Sequence, residues 1–233
     1  MAQREAEVLA GDVAYRGASK YLLVWPPDRT PDTPTPLVVM LHGLGDTALS
    51  FAQGLAPLVM PECAVLAIQA PHPFYVDLVE HQVGYCWHTE DAIASDLATG
   101  VQIVRDAIAT VQATRAGCHS RPVLFGHSQG GQLAFELLTR HREEFSGALM
   151  HCADALPTHT GPLDARGEGF PVMLAYGTRD TIIAPDSVER TGDLLADAGY
   201  AVTHLARAKG HEFTQADVVP VREFLLRCAG VGA

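Results

Sequence analysis

The stretch Val123-Leu124-Phe125-Gly126-His127-Ser128-Gln129-Gly130-Gly131 constrains the fold more than any other part of this chain. A short apolar run ends in a serine flanked by glycines, and Leu133, Ala134, Leu137 and Leu138 then repeat at helical spacing. A serine hydroxyl is a weak nucleophile until a base can reach its proton. The sharp strand-to-helix turn that presents it needs unfavourable backbone angles and close packing, which small residues at 126 and 130 permit. A glycine-rich turn with an incidental serine is the competing reading. The buried strand before it and the apolar helix after it favour a nucleophile elbow.

The rest of the chain supplies what such a turn requires. With 233 residues, 48% of them apolar and 18% charged, it can bury one large core and is read as one domain over residues 1–233. The formal net charge of -11 disfavours nucleic acid and anionic membrane surfaces as partners. The first residues are too charged for a signal peptide and no apolar run reaches the ~18 residues of a membrane span, so a soluble cytoplasmic protein is expected. Cys63, Cys86, Cys118, Cys152 and Cys228 are odd in number and lack a C-x-x-C pair, which fits reduced thiols.

In chain order, strand-like segments at Val8 to Tyr15 and Tyr21 to Trp25 predict an antiparallel hairpin at the sheet's edge. Leu37 to Leu41 is a continuous apolar run of the kind buried on both faces of a parallel sheet. It ends in His42-Gly43-Leu44-Gly45-Asp46, a turn whose peptide N–H groups are available to an oxyanion; Asp46 or Thr47 would cap the next helix, and His42 reads as structural. Cys63 to Ile68 is the next strand. Residues 70–88 show no clean period and read as a long loop suited to lining an apolar pocket. His81, Cys86 and His88 within it lack a fourth ligand at a spacing zinc would use, so no metal is expected.

Beyond that loop, Ile93, Leu97, Val101, Val104, Ile108 and Val111 form one stripe of the longest helix. Strands follow at Phe145 to His151, Phe170 to Tyr176 and Val202 to Leu205, with helices from about Pro185 to Ala198 and Val218 to Cys228, Pro220 falling in the first turn of the last. Strands alternating with helices predict an α/β fold, a mostly parallel doubly wound sheet flanked by helices with minimal or no cap, its strand ends meeting in one crevice.

Serine needs a base, and the base needs a carboxylate that fixes its tautomer. Ser128, Asp180 and His211 occur in the order serine, acid, histidine, each just beyond a predicted strand. His151, His159 and His204 also follow the serine, but His204 sits inside a strand pattern and His151 at a strand end. Asp154 is the rival for the acid, and Asp186 reads as a helix start.

The segments Leu41-His42-Gly43-Leu44-Gly45-Asp46, Gly126 to Gly131, Gly177-Thr178-Arg179-Asp180 and Gly210-His211-Glu212-Phe213 together resemble the phospholipase/carboxylesterase family of α/β-hydrolases, which includes the acyl-protein thioesterases. The resemblance spans about residues 37 to 228. It implies an α/β-hydrolase fold and cofactor-free hydrolysis of a small-molecule ester or thioester. Ser128, Asp180 and His211 would be catalytic, with oxyanion donors at the Leu44 and Gln129 backbone N–H groups and the acyl group against Leu44, Phe74, Trp87 and Ile182. Four departures stand out, one of them in a segment around Trp87 that resembles the family's tryptophan region but differs at His88 and the two acids after it. His127 replaces a frequent phenylalanine, the run from Asp180 to Pro185 is one residue longer than usual, and Cys152-Ala153-Asp154 replaces a small turn. A dienelactone-hydrolase-like enzyme, a small peptidase or a non-catalytic binding protein are the alternative functions, and a homodimer is left open.

Overall fold

The computed structural model describes residues 17–156, 163 and 167–231. The predicted strand from Val8 to Tyr15 lies outside the described residues. The apolar run Leu37–Leu41 forms strand β2, every residue of it buried. Ala64–Ile68 forms β3, equally buried and parallel to β2. Tyr21–Val24 forms β1, which pairs antiparallel with β3 as the edge strand. On the other side of β2 lie β6 (Val123–His127), β7 (Gly147–His151), β8 (Pro171–Gly177) and β9 (Ala201–Arg207), all in parallel register. The seven-stranded order is β1-β3-β2-β6-β7-β8-β9.

Alternate side chains of these strands divide between two apolar layers, as a period of two demands. Leu37, Val39, Leu41 and Leu124 face α2 (Ile93–Thr114), α3 (Gln129–Arg140) and α4 (Pro185–Asp197). Val38, Met40 and Phe125 face α1 (Ala48–Leu55) and α5 (Gln215–Cys228). With helices on both faces, the carboxyl ends of β2, β6, β7, β8 and β9 converge on one edge. The turns carrying Leu44, Ser128, Cys152, Asp180 and His211 emerge there.

Two expectations are corrected. Residues 70–88 are not a featureless loop: β4 (His72–Asp77) and β5 (Gln82–Cys86) form a separate antiparallel hairpin with an irregularity between Tyr75 and Asp77. Its alternation is masked because most of β4 and the start of β5 are open to solvent, leaving no single buried face to mark the period. The last helix begins at Gln215, three residues before the expected Val218, because Thr214 and Asp217 cap it reciprocally. Pro220 therefore lies past the first turn.

Candidate active site

At the β6–α3 turn Ser128 has φ 52° and ψ -122°, a left-handed backbone that side chains seldom adopt. Its N–H donates to the His151 carbonyl at 2.9 Å, and its own carbonyl accepts from Gly131 and Gln132 at 2.8 and 3.0 Å. A Cβ on Gly126 would collide with the Gly130 backbone, and one on Gly130 with the Leu41 and His42 carbonyls. The two glycines thus let three backbone segments meet, and the serine is held in a conformation with a strain cost of order 1–3 kcal/mol.

The turn after β2 is braced from beneath. The Ala70 N–H donates to His42 Nε2 at 3.0 Å, so the other ring nitrogen carries the proton and donates to the Gly43 carbonyl at 2.8 Å. Burial holds His42 below the usual histidine range despite that bond, which fits a neutral strut. Trp87 donates its indole N–H to the His42 carbonyl at 2.8 Å. From above, the hairpin holds the same turn: Gly45 N–H donates to the Tyr85 carbonyl at 2.9 Å, and Gly84 lies so close that a Cβ there would overlap the Gly45 carbonyl. The Leu44 N–H has no acceptor among the described residues. Gln129 opens α3, so its N–H belongs to the first turn, where no intrahelical acceptor exists. Thr47 caps α1 by accepting from Ser50 at 3.1 Å, while Asp46 accepts from the Thr47 N–H at 2.7 Å.

Asp180 and His211 meet. His211 Nδ1 lies 2.8 Å from Asp180 Oδ2, and Asp180 Oδ1 accepts the N–H groups of Ile182 and Ile183 at 2.9 and 3.1 Å. Burial alone would raise the Asp180 pKa, but these three donors outweigh it and hold the carboxyl below its ordinary range. Asp154 is committed elsewhere, accepting from Gln132 at 3.0 Å and from the Ser187 hydroxyl. The His211 ring sits 5.0 Å, centroid to centroid, from that of His127, the neighbour of Ser128.

Of the residues expected to line an acyl site, Leu44 and Ile182 are 58% and 68% exposed, and Phe74 is half-buried against Gly45. Trp87 is placed differently, fully buried in the core between the hairpin and α2. Its tryptophan-sized volume braces the turn rather than lining a surface. His81, Cys86 and His88, whose spacing alone invited a metal reading, are not among the described groups with converging ligand atoms: Cys86 donates to the His72 carbonyl and His88 pairs with Gln132. Ligand atoms of Cys152, Asp180 and His211 do lie within 4.8 Å of one another. Burial pushes the Cys152 thiol up to about 12.

Several side-chain contacts of the site carried no sequence signal. Gln129 clamps the segment after β5, accepting from Trp87 N–H at 3.0 Å and donating to the His88 carbonyl at 3.2 Å. His127, His151, Lys209 and Asp217 form a chain of polar contacts under the site. They come from two strand ends, the loop after β9 and a helix start, so only the folded chain unites them.

Sheet order, elbow and converging turns define an α/β-hydrolase. The chain belongs to the phospholipase/carboxylesterase family, whose sequence profile matches residues 28–229. It is 25% identical over 129 residues to MhqD of Bacillus subtilis (strain 168), named as a hydrolase, a match covering 55% of this chain and 64% of that protein's length. Among solved structures it resembles the carboxylesterase of Bacillus cereus (TM-score 0.71, 22% identity, 90% of this chain and 94% of the other). It also resembles acyl-protein thioesterase 2 of Zea mays (TM-score 0.70, 20% identity, 91% and 100%). At these identities the structural likeness establishes the fold. No helix among the described residues is long and apolar enough to cross a membrane.

Proposed function

We propose that this hydrolase cleaves carboxylic esters or thioesters of small to medium acyl groups through an acyl-enzyme on Ser128. The observation that carries the reading is the strained Ser128 backbone at the β6–α3 turn, a conformation with no use in a purely structural helix start. In this reading His211 takes the serine proton and Asp180, hydrogen-bonded to Nδ1, fixes the tautomer that leaves Nε2 as the base. The Leu44 and Gln129 N–H groups receive the negative charge that develops on the carbonyl oxygen. The alcohol or thiol departs with the proton from His211, and water repeats the sequence. Leu44, Phe74 and Ile182 would meet the acyl group. The proposal includes a cytoplasmic setting and a small-molecule substrate without nucleic acid, in keeping with the net charge of -11.

Hydrolysis of p-nitrophenyl esters of graded acyl length, with and without a serine-directed fluorophosphonate, tests this. Turnover that peaks at one length and disappears after labelling is expected. Labelling without ester turnover would narrow the substrate to a thioester or lactone. Absence of both would favour a binding protein on a hydrolase scaffold.

A further inference from the structure

The chain of contacts beneath the elbow has a polarity that can be read from its far end. Asp217 is fully buried, and its Oδ2 accepts from Thr214 N–H and Oγ1 at 2.7 and 2.8 Å and from Lys209 Nζ at 2.5 Å. Lys209 has three protons and no acceptor. It spends them on Asp217, on the Glu212 carbonyl at 2.9 Å and on His151 Nε2 at 2.8 Å. His151 must therefore accept at Nε2 and carry its proton on Nδ1. Burial, then the charges of His127 and Lys209, keep His151 well below the usual histidine range, so it stays neutral. Its Nδ1–H points at His127 Nδ1, 2.8 Å away. His127 in turn must accept there and hold its own proton on Nε2.

No hydrogen bond from that Nε2–H is present among the described side chains, while the His151 carbonyl also lies at the ring, where a bond to it favours the protonated form. The ring edge that bears Nε2 faces the Gly43 turn: a Cβ placed on Gly43 would lie 3.0 Å from His127 Cδ2, 3.6 Å from Nε2 and 3.3 Å from Ser128 Cβ. The donor therefore stands beside the serine side chain. His127 also borders a cavity of about 200 Å³ whose walls include Phe51, Leu55, Phe125 and Phe213, with Asp46 as its one acidic group. A neutral N–H calls for an acceptor. Apolar walls and a nearby carboxylate disfavour a charged one.

Resting on the esterase reading above, we propose that His127 is a second substrate-contacting donor. Its Nε2–H, fixed by the Asp217–Lys209–His151 chain, binds a neutral oxygen (ether, keto or hydroxyl) that the ester carries in addition to its scissile carboxyl group. The oxygen can belong to the acyl part or to the alcohol part.

Two measurements test this separately. Long-range proton–nitrogen correlation on 15N-labelled protein, with His127→Phe for assignment, reads the tautomer without any substrate. His127 should remain neutral and protonated on Nε2 between about pH 5 and pH 8. The groups around its ring are Asp46 from the β2 turn, His151 from β7, and Lys209 and His211 from the loop after β9. A proton on Nδ1, or ordinary titration near pH 6.5, would overturn the proposal. The second measurement compares kcat/KM for isosteric pairs, each normalised to its hydroxide-catalysed rate. The acyl series sets p-nitrophenyl methoxyacetate against the butyrate, and the alcohol series sets 2-methoxyethyl butyrate against butyl butyrate. One ether should be preferred by about tenfold, the worth of one good hydrogen bond, and the preference should vanish in His127→Phe. Equal rates in both series, or a preference that survives His127→Phe, would overturn it. Failure of the esterase reading would look different: no ester turned over and no fluorophosphonate on Ser128, with the tautomer measurement still deciding the state of His127.

Discussion

His211 Nδ1 and Asp180 Oδ2 are 2.8 Å apart, and Asp154 has no such contact because Gln132 and Ser187 occupy both its oxygens. The longer run from Asp180 to Pro185 leaves Asp180 against His211. Within that run the Ile182 and Ile183 N–H groups donate to Asp180 Oδ1. Asp180→Asn should lower kcat by about 10³–10⁴-fold, since the amide favours the wrong imidazole tautomer. Asp154→Asn should change it by less than about tenfold. Steady-state kinetics on both variants, with circular dichroism to verify the fold, decides between the two acids, and the reverse ranking would transfer the role.

The hairpin of β4 and β5 ties down the Leu44 turn through Gly45 and Tyr85. Gly84→Ala should push the Gly45 carbonyl away and shift the Leu44 N–H from its line. A misplacement of this kind costs on the order of 10²-fold in kcat with a smaller change in KM. Unchanged kinetics in a folded Gly84→Ala protein would mean that the turn holds itself.

A dependence of stability on pH follows from the buried histidines. Burial first, then the charge of His211, pushes His127 down to about 4. The unfolded chain therefore binds a proton below about pH 6.5 that the folded chain refuses, and the stability present above pH 6.5 is lost as pH falls toward 4. At about 1.4 kcal/mol per pH unit this amounts to roughly 3 kcal/mol from His127. Urea melts at several pH values should show His127→Phe losing less stability over this window than the unsubstituted protein. Parallel curves would contradict the assignment.

Legibility in the sequence followed how local each feature is. The central strands were readable because Leu37–Leu41 and Val123–Phe125 are apolar without interruption, and the helix from Ile93 because its stripe runs for five turns. The order serine, acid, histidine was readable because each residue follows a strand. The β4–β5 hairpin was not, since most of β4 and the start of β5 are open to solvent and Pro73 interrupts the first. The burial of Trp87 was hidden because its partners are the His42 carbonyl and the core over α2, both distant in sequence. Nor could sequence spacing unite His127 with Lys209 and Asp217, because their contacts run through His151 across separate turns.

The central claim is the acyl-enzyme on Ser128. Rapid acid quench during turnover of a p-nitrophenyl ester, followed by peptide mass mapping, measures it directly. One acyl group should appear on the peptide containing Ser128, and both adduct and turnover should be absent in a folded Ser128→Ala protein. Turnover that persists in Ser128→Ala, or an acyl group found on another residue while Ser128 stays unmodified, would contradict the account.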